Sequence, residues 1–212
     1  MTESIVFFFR LLICIYTSKQ NMSIEDIDAT CIENFDIYRA TGLWHIFATN
    51  DNLWKNKLIP TVTYSIHNQL SDGRVCLNDL VEYHSKRPCI GYRPTSMEGI
   101  DTQSTDKISR YQWRGTTFWR FFTNDFAFIF VDNETSSDRP YQWIATLFNP
   151  TIFSNGGINL MTRIRQPPSH ILNDFIRYCR ENPILKVKSA NMFYTREKAD
   201  DEIYYIRDLQ TD

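Results

Sequence analysis

The stretch Phe35-Asp36-Ile37-Tyr38-Arg39-Ala40-Thr41-Gly42-Leu43-Trp44-His45-Ile46-Phe47-Ala48 decides the fold. It places Gly42 two residues before Trp44, at the start of the first segment with the composition of a strand. Glycine tolerates a positive φ and a close backbone approach, so it permits a tight entry into a strand. Tryptophan is a large rigid side chain whose indole N–H needs a partner when it is buried. The pair therefore predicts a strand that starts at the closed end of a barrel, with Trp44 as the plug.

Downstream of this stretch, short runs of aromatic and β-branched residues alternate with turn residues, a pattern typical of antiparallel strands. With residues 42–49 as the first strand, the pattern predicts eight strands. The other seven are expected at residues 61–67, 74–83, 108–115, 118–123, 126–132, 141–148 and 158–165.

Two segments fall outside this strand pattern. Residues 85–105 contain turn residues such as Pro88 and Gly99, so we expect an irregular lid there. Apolar residues recur at helical spacing after Ser169, and Pro183 ends the predicted helix. The predicted fold class is all-β: an eight-stranded up-and-down antiparallel barrel with a C-terminal α-helix packed outside. A barrel of this size can hold one small ligand.

The composition argues against several classes of function. The formal net charge of −2 over 212 residues disfavours nucleic-acid binding, which needs a basic face. The four histidines are scattered and the five cysteines form no C-x-x-C pair, so we expect no metal ion and no cofactor. The odd number of cysteines excludes a complete disulfide framework. Reduced buried thiols and a single bridge, for example Cys89 to Cys179, both stay open.

The chain divides by composition into an N-terminal extension (residues 1–30), a barrel with its helix (residues 31–196) and a charged tail (residues 197–212). The apolar run at residues 5–17 is too short to span a bilayer comfortably and contains an arginine. It is also a poor signal peptide, because no Lys or Arg precedes it. A weak signal or anchor, a loosely docked extension and a start codon set upstream of Met22 all fit this run. We expect a cytoplasmic rather than a secreted protein, with membrane association only through this run.

Three short motifs resemble the signatures of the lipocalin superfamily. Gly42-Leu43-Trp44 resembles the G-x-W of the first strand. Asp138 and Tyr141 stand where the family has Thr-Asp-Tyr, with an insertion between them. Arg163 and Arg165 both resemble the arginine that ends the last strand before the helix. These two arginines lie two positions apart and share a face, so strand alternation does not choose between them.

The resemblance covers roughly residues 32–195. Residues 99–101, 113–115 and 148–158 look similar to an uncharacterised lipocalin-like group of fungi and microbes. The resemblance implies that an arginine stacks on Trp44 at the barrel base, in a structural role. It also implies a protein without enzymatic activity that binds and carries a small hydrophobic ligand, such as a fatty acid, a lipid or a pigment.

Inward-facing aromatic side chains from several strands would line the pocket of such a barrel. The candidates for ligand binding are Tyr64, Tyr111, Trp113, Phe128 and Trp143. Several strands are apolar on both faces, so the sequence alone does not fix which face points inward. Any of Arg110, Arg114 and Arg120 that faced inward could bind a ligand carboxylate, although ordinary solvent-facing arginines fit the pattern as well.

Candidate catalytic residues are sparse. Asp79, Glu82 and His84 form the single polar cluster on one predicted strand, and Asp79 and Glu82 fall on opposite faces. An enzyme acting on a hydrophobic substrate would need a buried titratable group, for which Asp79, His84 and Tyr111 are the candidates. A third alternative is a partner-binding module that docks a protein through residues 85–105.

Overall fold

The computed structural model describes residues 24–132, 139–151 and 154–209. The strands are β1 (Gly42–Thr49), β2 (Lys57–Gln69), β3 (Val75–Arg87), β4 (Gly91–Gln103), β5 (Arg110–Gly115), β6 (Thr123–Val131), β7 (Trp143–Phe148), β8 (Gly157–Thr162) and β9 (Phe193–Tyr194). The helices are α1 (Ile24–Thr30), α2 (Ile37–Ala40), α3 (Ser169–Glu181) and α4 (Pro183–Lys188).

Strands β1 to β8 form a closed ring. Each strand pairs antiparallel with the next, and β1 pairs with both β8 and β2. The short β9 adds to the far end of β1, at Ala48 and Thr49. The predicted eight-stranded up-and-down barrel with a helix after it is confirmed. Closure gives every strand of the ring at least two neighbours, so the ring itself has no free edge.

The strand prediction was wrong in two places. Residues 85–105 form no lid: they complete β3 and form β4, in continuous register from Cys76–Thr102 to Arg87–Gly91. The outer half of this hairpin is exposed, so β4 lacks the apolar alternation that marks a half-buried strand. Residues 118–123 are not a separate strand either. They overlap the end of a 3₁₀ turn (Thr117–Trp119) and include the first residue of β6.

Two hydrophobic clusters explain why so many strands are apolar on both faces. The inner cluster fills the barrel and includes Trp44, Tyr64, Tyr111, Phe126, Phe128 and Met161. The outer cluster lies between the helices and the outside of the sheet and includes Ile129, Phe130, Trp143, Leu160, Ile171 and Phe175. Because helices cover the outer face of β6 to β8, the residues of these strands are buried on either side.

The segments on either side of the barrel also pack onto it. Ile27 of α1 and Leu209 near the end of the described chain are both buried in the outer cluster. The four described cysteines are free thiols; Cys89 is exposed on the β3–β4 turn, whereas Cys179 is buried in α3. Among the described residues, no helix is both long and apolar enough to cross a membrane. The apolar run at residues 5–17 lies outside the described residues.

Candidate ligand-binding site

The barrel is closed at the end where β1 begins. Trp44 is fully buried, and its indole N–H donates to the carbonyl of Ala40 at 2.7 Å. The guanidinium carbon of Arg163 lies 3.6 Å from the centre of the Trp44 ring, a cation–π contact. This closed end therefore consists of an indole held between a backbone carbonyl and a guanidinium.

Arg163 also satisfies the backbone around the indole. It donates to four carbonyl oxygens, those of Tyr141 at 2.9 Å, Leu43 at 3.0 Å, Arg39 at 3.1 Å and Thr41 at 2.7 Å. Burial lowers the pKa of Arg163 to about 10, and Asp132 acts in the opposite direction. At neutral pH the guanidinium therefore stays charged, and its fork closes the base of the barrel.

Gly42 makes room for this guanidinium. Its φ is +102°, a conformation that L side chains rarely adopt, and a Cβ there would lie 2.9 Å from Nη1 of Arg163. Arg165 has a different place: it lines a separate pocket with Tyr194 and Glu197. The structure thus places Arg163, and not Arg165, against Trp44.

The motif formed by Asp138 and Tyr141 lies only partly within the described chain. Tyr141 is buried beside the closed end; its hydroxyl accepts from the Asp36 N–H at 3.1 Å, and the Arg39 guanidinium lies 4.1 Å from its ring centre. Asp138 lies outside the described residues.

Above the closed end is a cavity of about 510 Å³ that reaches the opposite, open end of the barrel. Its wall is mostly apolar and aromatic, and includes Ile46, Val62, Tyr64, Val81, Tyr83, Met97, Trp113, Phe126 and Phe148. The loops of the open end supply the mouth, including Leu53, Trp54, Trp119, Phe121 and Phe122. A cavity of this volume and lining suits a small, largely apolar molecule.

The five residues that the sequence proposed for ligand binding have three different placements. Tyr64 and Trp113 line the cavity. Tyr111 and Phe128 lie deeper in the inner cluster, where their rings contact edge to face at 5.7 Å. Trp143 points out of the barrel into the outer cluster, 4.4 Å from the Phe130 ring. The sequence of β7 does not show which of its side chains point into the barrel. The reason is that α3 buries the outer face of that strand, so both faces are apolar.

One wall of the barrel interior carries two carboxyl groups. Asp79 on β3 is 8% exposed and lines the cavity, and Asp101 on β4 is 0% exposed. Asp79 pairs in register with Gly99, two residues before Asp101, so the two side chains are diagonal neighbours on the inner face. Oδ1 of Asp79 and both carboxyl oxygens of Asp101 have no hydrogen-bond partner among the described residues.

Burial perturbs the titration of this pair. Desolvation raises the pKa of Asp79 to about 7. Burial, and then the nearby Asp79 and Cys76, raise the pKa of Asp101 well above its usual range. The pKa of Tyr64 is also raised, by burial first and then by the two carboxyls. Burial therefore disfavours ionisation of the carboxyl groups in the lower cavity wall. Their unpartnered oxygens can still form hydrogen bonds with a bound molecule.

Among the polar groups of the mouth are the ammonium of Lys57 and the indole N–H of Trp54. Lys57 lies 4.9 Å from the Tyr83 ring centre, and its ammonium donates to Ser85 Oγ at 3.3 Å. Trp54 is buried against Tyr83 with a ring-centre distance of 5.7 Å, and its indole N–H has no partner among the described residues.

Sequence reasoning missed Asp101 and the polar mouth. Asp101 fell in the segment predicted as a lid; had β4 been recognised, its position two residues after Gly99 would have placed it on the same face as Asp79. Gly99 itself was a signal, because a Cβ there would collide with the Trp113 indole. The glycine therefore lets Trp113 lie across β4 beside the carboxyl pair.

The remaining candidates lie away from the cavity. Arg110 forms an ion pair with Asp28 at 2.8 Å, and neither Arg114 nor Arg120 is among the described residues that line the cavity. Glu82 is exposed, on the face opposite Asp79. In the described ranges, no group of three or more His, Cys, Asp or Glu side chains is placed to bind a metal ion.

Comparison with solved structures returns lipocalin-type proteins. Lobster apocrustacyanin A1 aligns with a TM-score of 0.49 and 7% identity, over 76% of this chain and 79% of that chain. The siderocalin Ex-FABP, described as acting through dual ligand specificities, aligns with a TM-score of 0.32 and 14% identity, over 76% of this chain and 97% of that chain. No protein-family model and no curated protein matches the chain.

Proposed function

We propose that this protein binds and carries a small hydrophobic ligand in its barrel, as a lipocalin-like carrier related to the uncharacterised fungal and microbial group. The observation that supports the proposal is the cavity of about 510 Å³, lined by aromatic and aliphatic side chains and open at one end. Burial of apolar ligand surface would provide the driving force, at roughly 25 cal/mol per Å² before the entropic costs of binding. The partner is a small molecule and not a nucleic acid, and the proposed compartment is the cytoplasm.

The test is a titration of the purified full-length chain with an apolar fluorescent probe, N-phenyl-1-naphthylamine. Native mass spectrometry would detect any ligand that co-purifies. Val81→Trp fills the cavity, since Val81 lines it, and we expect at least about a tenfold loss of probe affinity. Val187→Trp is the matched control, because Val187 is exposed on α4. Absence of probe binding, or equal binding by both variants, would overturn the proposal.

One observation favours a second candidate function. Asp79 is a buried acid with a pKa near neutrality inside the cavity, the property expected of a general acid or base in an enzyme that acts on a hydrophobic substrate. No nucleophile or orienting group lies within hydrogen-bond distance of its Oδ1 among the described residues, so the carrier function remains the preferred one. Turnover of a bound ligand by the wild type but not by Asp79→Asn would reverse that preference.

The proposed docking of a partner protein through residues 85–105 loses its basis. Most of this segment is paired in the β3–β4 hairpin. Ile90 on the turn is exposed, but it is a single apolar side chain and not a patch.

A further inference from the structure

The cavity wall, from its lower part to the mouth, contains buried polar atoms without a partner among the described residues. Asp79 Oδ1 and Trp54 Nε1 both belong to residues that are more than nine-tenths buried and that line the cavity, and Asn124 Oδ1 is a third such lining atom. Buried polar groups in folded proteins almost always have a partner, so each exception needs an explanation. A ligand in the cavity is the explanation that fits atoms which all line the same space.

The charge of the wall selects among ligands. Asp101 lies directly behind Asp79, and both its carboxyl oxygens also lack a described partner. No cationic side chain is among the described groups that perturb either carboxyl. Tyr64 on β2 lies opposite Asp79, and Lys57 lies near the mouth, seven residues before Tyr64 on the same strand. Seven residues of extended strand span about 20 Å. The cavity therefore has Asp79 at depth with Asp101 behind it, whereas Lys57 and the buried Asp51 lie near the entrance.

We propose that Asp79 binds the protonated amine of an otherwise apolar ligand, with Asp101 behind it as a positioning residue. This inference rests on the proposed function and specifies its ligand class. An ammonium offers three N–H donors and no acceptor, which complements unpartnered carboxylate oxygens. The aromatic faces of Tyr64 and Trp113, which line the same cavity, favour a cation as well.

The same geometry disfavours a fatty acid bound with its head group at this depth. A ligand carboxylate there would meet Asp79 and Asp101 without an intervening cation, and like charges at short range in a poorly solvated site repel strongly. Fatty acids, which were among the ligands expected from the sequence, therefore do not fit the lower wall with their head group at this depth, whereas an amphiphilic amine does.

The experiment compares three probes of equal chain length by isothermal titration calorimetry at pH 8: decylamine, decan-1-ol and decanoic acid. Their alkyl chains are the same, so differences in affinity report the head group. We expect decylamine to bind at least about tenfold tighter than decan-1-ol, and decanoate to bind weakest, since charge-assisted hydrogen bonds are the strong ones. In Asp79→Asn the preference for the amine over the alcohol should shrink to about threefold or less, while decan-1-ol binding persists.

Two further variants make the outcome decisive. Asp72→Asn removes the same charge from an exposed turn and should keep the full amine preference. Asp101→Asn should reduce the preference only in part, because its carboxyl acts through Asp79. Binding of decan-1-ol without any preference for decylamine would overturn this inference and leave the carrier function intact. Binding of none of the three probes would overturn both this inference and the carrier function. An amine preference that survives in both Asp79→Asn and Asp101→Asn would place the amine elsewhere and refute the inference.

Discussion

Buried polar groups at the closed end of the barrel have hydrogen-bond partners, whereas several in the cavity lack a described partner. At the closed end, the Trp44 indole N–H and the Arg163 guanidinium have partners within 3.1 Å. In the cavity above, Asp79 and the Trp54 indole N–H present polar atoms without described partners, and so does Asp101 behind Asp79.

This contrast separates fold from function. A satisfied network in a poorly hydrated interior stabilises one arrangement of the chain, whereas an unsatisfied buried group costs about 1–3 kcal/mol. Such a cost is tolerated where something else recovers it, and a bound ligand does so. The closed end is therefore expected to determine stability, and the cavity wall to determine binding at the expense of stability.

The largest expected effect breaks the closed end. Arg163→Ala removes the cation–π contact and leaves four carbonyl oxygens without their donor, so we expect a loss of about 3–5 kcal/mol in the free energy of unfolding. Arg165→Ala is the matched control, and its loss should stay within about 0.5 kcal/mol. Urea unfolding followed by tryptophan fluorescence measures both. Equal losses would mean that the guanidinium fork does not hold the base of the barrel.

This pair of arginines also shows where sequence reasoning stops. The glycine–tryptophan motif predicted the closed end, and the aromatic runs predicted the barrel, because both depend on local pattern. The choice between Arg163 and Arg165 depends on where β8 ends. It ends at Thr162, so both arginines lie beyond the strand and the alternation rule does not apply to them.

The predicted strand number was right through two compensating errors. Residues 118–123 were counted as a strand that does not exist, and β4 was missed. β4 forms because β3 offers it a continuous row of backbone partners, a long-range cause that leaves little trace in its own side chains. Asp101, the residue that makes the cavity wall diacidic, was lost with that strand. The direction of Trp143 was equally hidden, because it depends on the cover that α3 provides.

The second prediction tests the cost carried by the cavity wall. Asp79→Asn should stabilise the free protein at pH 8 by about 1–3 kcal/mol, below the limit of about 4 kcal/mol set by a pKa raised from 3.8 to about 7. The gain should fall to about 0.5 kcal/mol or less at pH 4, where the wild-type carboxyl is protonated in the folded chain and close to half protonated in the unfolded chain. Thermal unfolding at a series of pH values between 4 and 8 measures it.

The sign follows from the proton count. Between pH 4 and 7 the folded state keeps a proton on Asp79 that the unfolded state has lost, so wild-type stability falls as pH rises and then levels off. The titratable groups that face this carboxyl pair are Tyr64 from β2 and, beside Asp101, Cys76 and Tyr111, none of which brings positive charge. If Asp79→Asn stabilised the protein as much at pH 4 as at pH 8, ionisation of Asp79 would not be the cause of the lower stability of the wild type.

The third prediction compares two tryptophans on either side of the sheet. Trp113 lines the cavity and Trp143 lies in the outer cluster, so Trp113→Phe should weaken decan-1-ol binding about fivefold while Trp143→Phe leaves it within about twofold. Calorimetric titration gives the affinities, and thermal unfolding checks that both variants fold. A larger effect on binding from Trp143→Phe would place the ligand outside the barrel.

The smallest expected effect is at the rim of the open end. Phe118 is 80% exposed on the turn between β5 and β6, whereas Phe122 is half-buried and packs 5.9 Å from the Trp119 ring. Phe118→Ser should therefore change the free energy of unfolding by less than about 0.5 kcal/mol, and Phe122→Ser should cost about 1 kcal/mol or more. Urea unfolding of the two variants side by side decides this. If Phe118→Ser proved the costlier change, the exposed Phe118 ring and not the half-buried Phe122 ring would pack against the barrel rim, contrary to the structure.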